Sequence, residues 1–295
     1  MTDSGVVIVD KPADWTSHDV VARVRRLART RRVGHAGTLD PMATGVLVLG
    51  TEKGTKLLGH LTRTEKVYEA TIRLGLTTST DDAEGEPGTR VDAGHVTDAA
   101  VRTGTAALTG TIDQVPPQVS AIKVNGKRAY ASARAGVEVE LKARSVTVSE
   151  FAVHSIRRSA DADGGLVDID ARVTCSSGTY VRALARDLGA SLGVGGHLTA
   201  LRRTRVGPYD LSQARTLEQL AEEFTVLPLA RAAAAAFPVR VLTADETRKI
   251  AHGNRIAPGE LGAGPIGLFA PDGTVMALAE EKPGHCKPIV VFEPA

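Results

Sequence analysis

The chain has 295 residues and only two cysteines, Cys175 and Cys286. They lie far apart, form no C-x-x-C pair and match no zinc spacing, so neither a disulfide scaffold nor a cysteine metal site is expected. Aromatic residues are also scarce, with four tyrosines, five phenylalanines and one tryptophan, so the position of each tyrosine is informative. No apolar run approaches the roughly 18–20 residues of a membrane span. The start, Met1-Thr2-Asp3-Ser4, is neither basic nor followed by a signal-type apolar core. There is no P-loop and no G-x-G-x-x-G. These absences lead us to expect a soluble cytoplasmic protein, with no membrane partner, no small-molecule cofactor and no metal; a monomer is the default expectation. There is no internal repeat.

What is present is an ordinary globular composition, 42% hydrophobic, enough for one large domain or one large and one small. Gly5–Val9 reads as a short buried strand. Ser17 reads as the N-cap of a helix to about Thr30, with Val20, Val21, Val24, Leu27 and Ala28 on its apolar stripe. Lys53 to Arg63 reads as a short helix. From Lys66 to Leu76 the residues alternate, with Tyr68, Ala70, Ile72, Leu74 and Leu76 on one face and Glu69, Thr71 and Arg73 on the other. The acidic stretch Thr77 to Gly94 reads as a loop, and Thr97 to about Leu108 as a helix. Strands are predicted at 145–156 and 166–175, and a helix at 179–192 that the Gly193–Gly196 cluster stops. Beyond Pro238, short strands, a helix near Thr243–His252 and the turn Pro271-Asp272-Gly273 indicate a small β-rich appendage. Strands and helices are interspersed without a regular βαβ rhythm, so the fold class is α+β.

The net charge of +2 is unevenly spread. Residues 1–66 carry 11 Lys/Arg against 7 Asp/Glu, residues 67–113 carry 3 against 8, and residues 114–160 carry 8 against 3. Clustered cations are the electrostatic footprint of phosphate binding. They are equally the mark of a solvated helix face, and charge alone does not separate the two.

The most specific segment is Gly34-His35-Ala36-Gly37-Thr38-Leu39-Asp40-Pro41-Met42-Ala43-Thr44-Gly45. It presents a single carboxylate, Asp40, among glycines, where the backbone must turn sharply or lie close to something else. An apolar run, Val46 to Leu49, follows it. Three other segments accompany it. Lys11-Pro12 with Thr16-Ser17-x-Asp19-x-Val21 precedes it. Lys66-x-Tyr68 follows it, with Pro116-Pro117-x-x-Ser120-Ala121-x-Lys123-x-x-Gly126-x-Arg128-x-Tyr130 beyond the acidic loop. Last come Ser177-Gly178-Thr179-Tyr180-Val181-Arg182 and His197-Leu198-x-x-Leu201-Arg202-Arg203. Three of the four tyrosines fall inside these segments.

In content and order these segments resemble the TruB family, the tRNA pseudouridine-55 synthases, over residues 5 to about 209. The resemblance implies a pseudouridine synthase fold, with a mixed, mainly antiparallel sheet and a central cleft. It implies a catalytic domain over residues 1–237, with an RNA-clasping arm at about 116–150, and a small PUA-like domain over 238–295. The substrate implied is the T-arm stem-loop of transfer RNA, in which uridine 55 is flipped and isomerised. That chemistry breaks the C1′–N1 bond and joins C5 to C1′, and needs neither nucleotide nor metal. Asp40 would act at the ribose, as nucleophile at C1′ or as the base that starts a glycal route. Arg182 would hold Asp40 ionised, and Tyr68 would stack on the target base. Tyr180 and Leu201 would line the uracil site, and His35 would fill the space left by flipped bases. Lys11, Lys123 and Arg128 are candidates for phosphate or structural contacts. Without the resemblance, Tyr68 would read as half-buried packing, Arg182 as a helix-surface arginine and Leu201 as core. A non-catalytic tRNA-binding folding helper is the alternative. In the appendage, Arg240, Arg248 and Lys249 are the candidate RNA contacts, with stabilisation of the main domain as the other possible role.

Overall fold

The computed structural model describes residues 3–119, 141–262 and 264–295, together with the backbone of 123, 124, 127 and 128. The stretch of the expected arm from 120 to 140 lies outside the described residues, apart from those four backbone positions. In chain order the main elements are β1 (Gly5–Lys11), α1 (Ser17–Leu27), β2 (Thr44–Thr51), β3 (Lys66–Leu74), α2 (Asp98–Ala107) and β4 (Gly110–Gln114). They continue with β5 (Arg144–Asp161), β6 (Gly164–Cys175), α3 (Val181–Ser191), β7 (Gly196–Val206) and α4 (Leu229–Ala236). The last are β8 (Val239–Val241), α5 (Ala244–Ala251), β9 (Ile266–Phe269), β10 (Val275–Lys282) and β11 (His285–Val291). By contacts the chain divides into two compact units. One comprises Met1–Pro41, Gly45–Thr64 and Val206–Ala295, and the other Met42–Thr44 and Glu65–Arg205.

In the first unit β1 pairs antiparallel with β2, Val7 opposite Leu49 and Ile8 opposite Val48. Val6 to Val9 and Val46 to Leu49 are all buried, which is why both runs are apolar on successive residues and not alternating. Helix α1 begins one residue earlier in its capping than its sequence suggests. Thr16 is the N-cap: its hydroxyl accepts from the Asp19 N–H at 3.1 Å, and the Asp19 carboxylate accepts from the Thr16 N–H at 3.0 Å. This reciprocal pair is a capping box. Ser17 is instead the first helical residue, and its hydroxyl is used elsewhere. The helix ends at Leu27, short of Thr30, because Ala28 caps it and Arg29 takes φ +51°.

The C-terminal residues form a sheet in the order β8-β9-β10-β11, with β8 parallel to β9 and the remaining pairs antiparallel. Leu242, Ile250, Ile256, Leu268 and Ala277 give this sheet and α5 a core of their own. Its other side is not independent. Phe237, Phe269, Val275, Leu278 and Phe292 belong to one buried cluster with Val6, Ile8, Val46 and Val48. Removing residues 238–295 would therefore strip a core face from β1 and β2. Phe292 is fully buried in that cluster, and Phe292→Ala should cost about 3–5 kcal/mol. A fall in the urea midpoint of the whole chain at unchanged m would show it, and a loss under about 1 kcal/mol would show that the two cores are uncoupled. Arg240 donates to Glu246 at 2.7 Å and to the Ala257 carbonyl at 2.8 Å, and Arg248 and Lys249 both pair with Asp245. All three candidate RNA contacts of the appendage have protein partners, and the Arg248 and Lys249 side chains stay more than half exposed.

In the second unit the strands run in the order β7-β3-β6-β5-β4. β3 shows the expected alternation: Tyr68, Ala70, Ile72 and Leu74 are buried, while Glu69, Thr71 and Arg73 are half-exposed. It stops at Leu74 and not Leu76, because Gly75 takes φ +101°, a conformation that suits glycine. The half-exposed face carries ion pairs that cross strands, Arg73 with Asp168 and Arg172 with Glu69. β5 and β6 form a longer hairpin than the sequence indicates, Ala160 still pairing with Gly165. Part of the acidic stretch is regular, Leu76–Thr78 pairing with Pro87–Arg90.

Candidate active site

The loop that carries Asp40 is held on both sides of that residue. On one side the Leu39 N–H donates to Ser17 Oγ at 2.9 Å, and Ser17 Oγ donates back to the Leu39 carbonyl at 3.0 Å. On the other side the Pro41 carbonyl accepts from Lys11 Nζ at 3.0 Å and from the Asp14 N–H at 3.0 Å. Asp14 reaches it with φ +65°, and Gly37 turns the loop with φ +89°. Leu39 is buried and Asp40 is half-exposed between its two anchored neighbours. A carboxylate with both flanking peptides fixed loses little freedom when it acts, which is what positioned catalysis needs.

Two of these anchors explain the first motif. Lys11 is fully buried, and its ammonium also donates to the carbonyls of Pro12 at 2.8 Å and Trp15 at 2.6 Å. An ammonium has three donors, and three carbonyls take them. Of the two roles considered for Lys11, phosphate contact or structural contact, this geometry is that of the structural one. Ser17→Ala would leave the buried N–H and carbonyl of Leu39 without their shared partner, costing about 1–3 kcal/mol. A lowered thermal midpoint would report that cost. A midpoint equal to the parent would mean that water replaces the hydroxyl.

His35 ends the short strand Val33–His35, which pairs with β2, and its ring meets that of His18 edge-on at 5.7 Å. Lys123 and Arg128 face one another across a two-residue ladder of backbone pairs, and their side chains lie outside the described residues, as does Tyr130.

In the second unit Tyr68 is 7% exposed on β3, opposite Val173 of β6, and Leu201 is 7% exposed on the adjacent strand β7. Burial and the neighbouring Arg203 bring the Lys66 ammonium down to about 8. Tyr180 occupies the N-cap position of α3, where no side chain caps the helix. Its backbone is held by Gln114: the Tyr180 N–H donates to Oε1 at 2.8 Å, and Nε2 donates to its carbonyl at 3.1 Å.

Arg182, the second residue of α3, is not the surface arginine that its helix position would suggest. It is 3% exposed. Its guanidinium donates to the Thr80 carbonyl at 2.8 Å and the Val119 carbonyl at 3.0 Å, and pairs with the Asp82 carboxylate at 3.4 Å. Asp82 is itself 2% exposed and also accepts from the Thr80 hydroxyl and the Glu84 N–H. Sequence reasoning missed Asp82. It stands in the most acidic block of the chain, where a carboxylate ordinarily faces water, and nothing local distinguishes it from Asp81 or Glu84.

Among the described residues, no helix is long and apolar enough to cross a membrane, and no cluster of His, Cys, Asp or Glu could hold a metal ion.

Comparison with known proteins identifies the family. A family model described as TruB family pseudouridylate synthase (N terminal domain) matches residues 25–181. A tRNA pseudouridylate synthase B C-terminal domain model matches residues 182–232, and a tRNA pseudouridine synthase II C-terminal model matches 237–293. The tRNA pseudouridine synthase B of Thermobifida fusca (strain YX) is 71% identical over 288 residues, covering 98% of each chain. That of Streptomyces coelicolor is 60% identical over 294 residues, covering 99% of this chain and 98% of the relative. Among solved structures, the crystal structure of a Cbf5-Nop10-Gar1 complex superposes with a TM-score of 0.74 at 26% identity, covering 98% of this chain and 85% of that one. With its whole length matched in this way, the chain belongs to the TruB family of pseudouridylate synthases.

Proposed function

We propose that this chain isomerises uridine 55 in the T loop of transfer RNA to pseudouridine, with Asp40 as the reacting carboxylate. The observation that carries the reading is the doubly anchored Asp40 loop in a chain of this family. Asp40 attacks C1′ or removes the proton that opens a glycal route. In either case it works as an anion, and Arg182 supplies the positive charge that keeps it one. Tyr68 and Leu201, both buried on neighbouring strands, present an aromatic and an apolar surface to the base. His35 and Tyr180 complete the base site. The chemistry moves a base within one nucleotide, so it consumes no cofactor. A base in a folded loop must first leave its stack, at a cost of about a few kcal/mol.

Residues 1–237 act as the catalytic domain, with the RNA-clasping arm expected at 116–150 narrowed at its far end, because residues from Arg144 on belong to β5 and pair with β4 and β6; Lys123 and Arg128 contribute from that arm. Residues 238–295 act as a stabilising PUA-like domain. The enzyme works as a cytoplasmic monomer on the T-arm stem-loop.

Arg25, Arg26, Arg29, Arg31 and Arg32 are exposed in the stretch leading to His35, and among the described residues Arg32 alone of these has an ion-pair partner, Glu52. Such a run suits the phosphate backbone of RNA. Affinity for the stem-loop should then fall at least about tenfold between 50 and 200 mM salt, by counterion release. Replacing Arg29 and Arg31 by Gln should flatten the log–log slope by about 1–2. An unchanged slope in titrations by filter binding would remove this stretch from the RNA face.

A further inference from the structure

Helix α3 carries a second arginine, Arg186, one turn beyond Arg182 and on the same face. The two guanidiniums are used in parallel. Arg182 takes Asp82 and the Val119 carbonyl. Arg186 takes Asp81 at 3.2 Å and the Val115 carbonyl at 2.7 Å, and its Nε donates to Asp187 at 2.9 Å. Two adjacent carboxylates therefore face two arginines spaced one turn apart, and two carbonyls bracketing Pro116-Pro117 are held by the same pair.

The backbone of the acidic dipeptide is set for this. Asp81 takes φ +60°, which aspartate tolerates better than most residues. Its N–H donates to the Thr78 carbonyl at 3.3 Å, and its carbonyl accepts from the Leu198 N–H at 3.1 Å. Fixed at both ends, the turn sends the two carboxylates to different guanidiniums. Burial pushes the Asp81 carboxyl up, and the charges of Arg186 and Arg182 pull it back. Asp81 and Asp82 are negative neighbours, so removing the positive charge of Arg186 would leave Asp81 competing with Asp82 for Arg182.

We propose that Arg186 is a positioning residue for the reaction: by holding Asp81 and the Val115 carbonyl it keeps the Asp82 carboxylate and the Pro116-Pro117 segment where Arg182 needs them. Arg186 touches no reacting atom in this role. It acts through Arg182, and the inference rests on the functional reading above.

The test uses the full-length enzyme and a T-arm stem-loop carrying 5-tritiated uridine. Single-turnover tritium release gives the rate, filter binding gives the RNA Kd, and thermal melting checks the fold. Arg186→Met should slow release about tenfold or more while Kd stays within about threefold, because the loss falls on the reacting centre and not on binding. Arg186→Lys, which keeps the charge on Asp81, should recover part of the rate. Asp81→Asn is nearly isosteric and tests the same contact should Arg186→Met fail to fold. It should also be slow, and in the double variant the two losses should not add, since they break one interaction. A Met variant, or an Asn variant where Met does not fold, that releases tritium within twofold of wild type would overturn the proposal. So would a loss confined to Kd, or additive losses. Absence of release by wild type would instead overturn the functional reading itself.

Discussion

Asp40→Asn should bind the T-arm stem-loop with Kd within about threefold of wild type and form pseudouridine at least about 10³-fold more slowly, the scale on which loss of a reacting acid–base or nucleophilic group acts. The substitution keeps the shape of the side chain and removes its charge. The anchors of the loop do not depend on that charge: Ser17 holds the peptide of Leu39, and Lys11 and Asp14 hold the carbonyl of Pro41. The loop should therefore keep its form, and with it the RNA contacts, while the step at the ribose fails. Binding by electrophoretic mobility shift and product by nearest-neighbour analysis separate the two quantities. A rate within tenfold of wild type would take Asp40 out of the chemistry. A large loss of affinity would mean that its charge, and not its reactivity, matters to the complex.

Arg182→Ala should fail in two ways at once. In the fold, it strands the Asp82 carboxylate, which is 2% exposed and has Arg182 as its ion-pair partner. Breaking a buried pair from one side costs about 3–5 kcal/mol, so the urea midpoint should drop clearly. In catalysis, the role proposed for Arg182 beside Asp40 predicts that removing its charge lowers kcat by about 10²–10³-fold with KM little changed. Arg182→Lys keeps the charge but cannot span the Thr80 carbonyl, the Val119 carbonyl and Asp82 together. It should regain stability more than rate. A variant with normal kcat and raised KM would reassign Arg182 to RNA binding.

Much of this was legible in the residues. The alternation on β3 put Tyr68, Ala70, Ile72 and Leu74 on one face, because a half-buried strand has period two, and Tyr68 proves buried where half-burial was expected. The apolar runs of β1 and β2 also announced themselves. The Asp40 loop stood out because the whole run of glycines, proline and one acid, followed by the apolar Val46 to Leu49, is more specific than a tight turn with an incidental Asp. What stayed hidden depended on contacts distant in sequence. Ser17 makes as good an N-cap as Thr16 on local grounds, and only Leu39, 22 residues on, shows that its hydroxyl is committed elsewhere. Lys11 reads equally as a phosphate contact or a structural one until the carbonyls of Pro12, Trp15 and Pro41 are seen around it. Asp82 was concealed by its acidic neighbours, since burial and not composition sets it apart. The C-terminal segment has the texture of an appendage, yet Phe269 and Phe292 share the core of β1 and β2. No local pattern encodes that sharing.

The most direct measurement is tritium release from a T-arm stem-loop carrying 5-tritiated uridine, with wild type and Asp40→Asn in parallel. Joining C5 to C1′ expels the hydrogen at C5, and binding alone does not. Release by wild type and none by Asp40→Asn is the expected result. Retention of tritium by both, with the RNA still bound, would contradict the isomerase reading and leave a protein that binds and helps fold transfer RNA without chemistry.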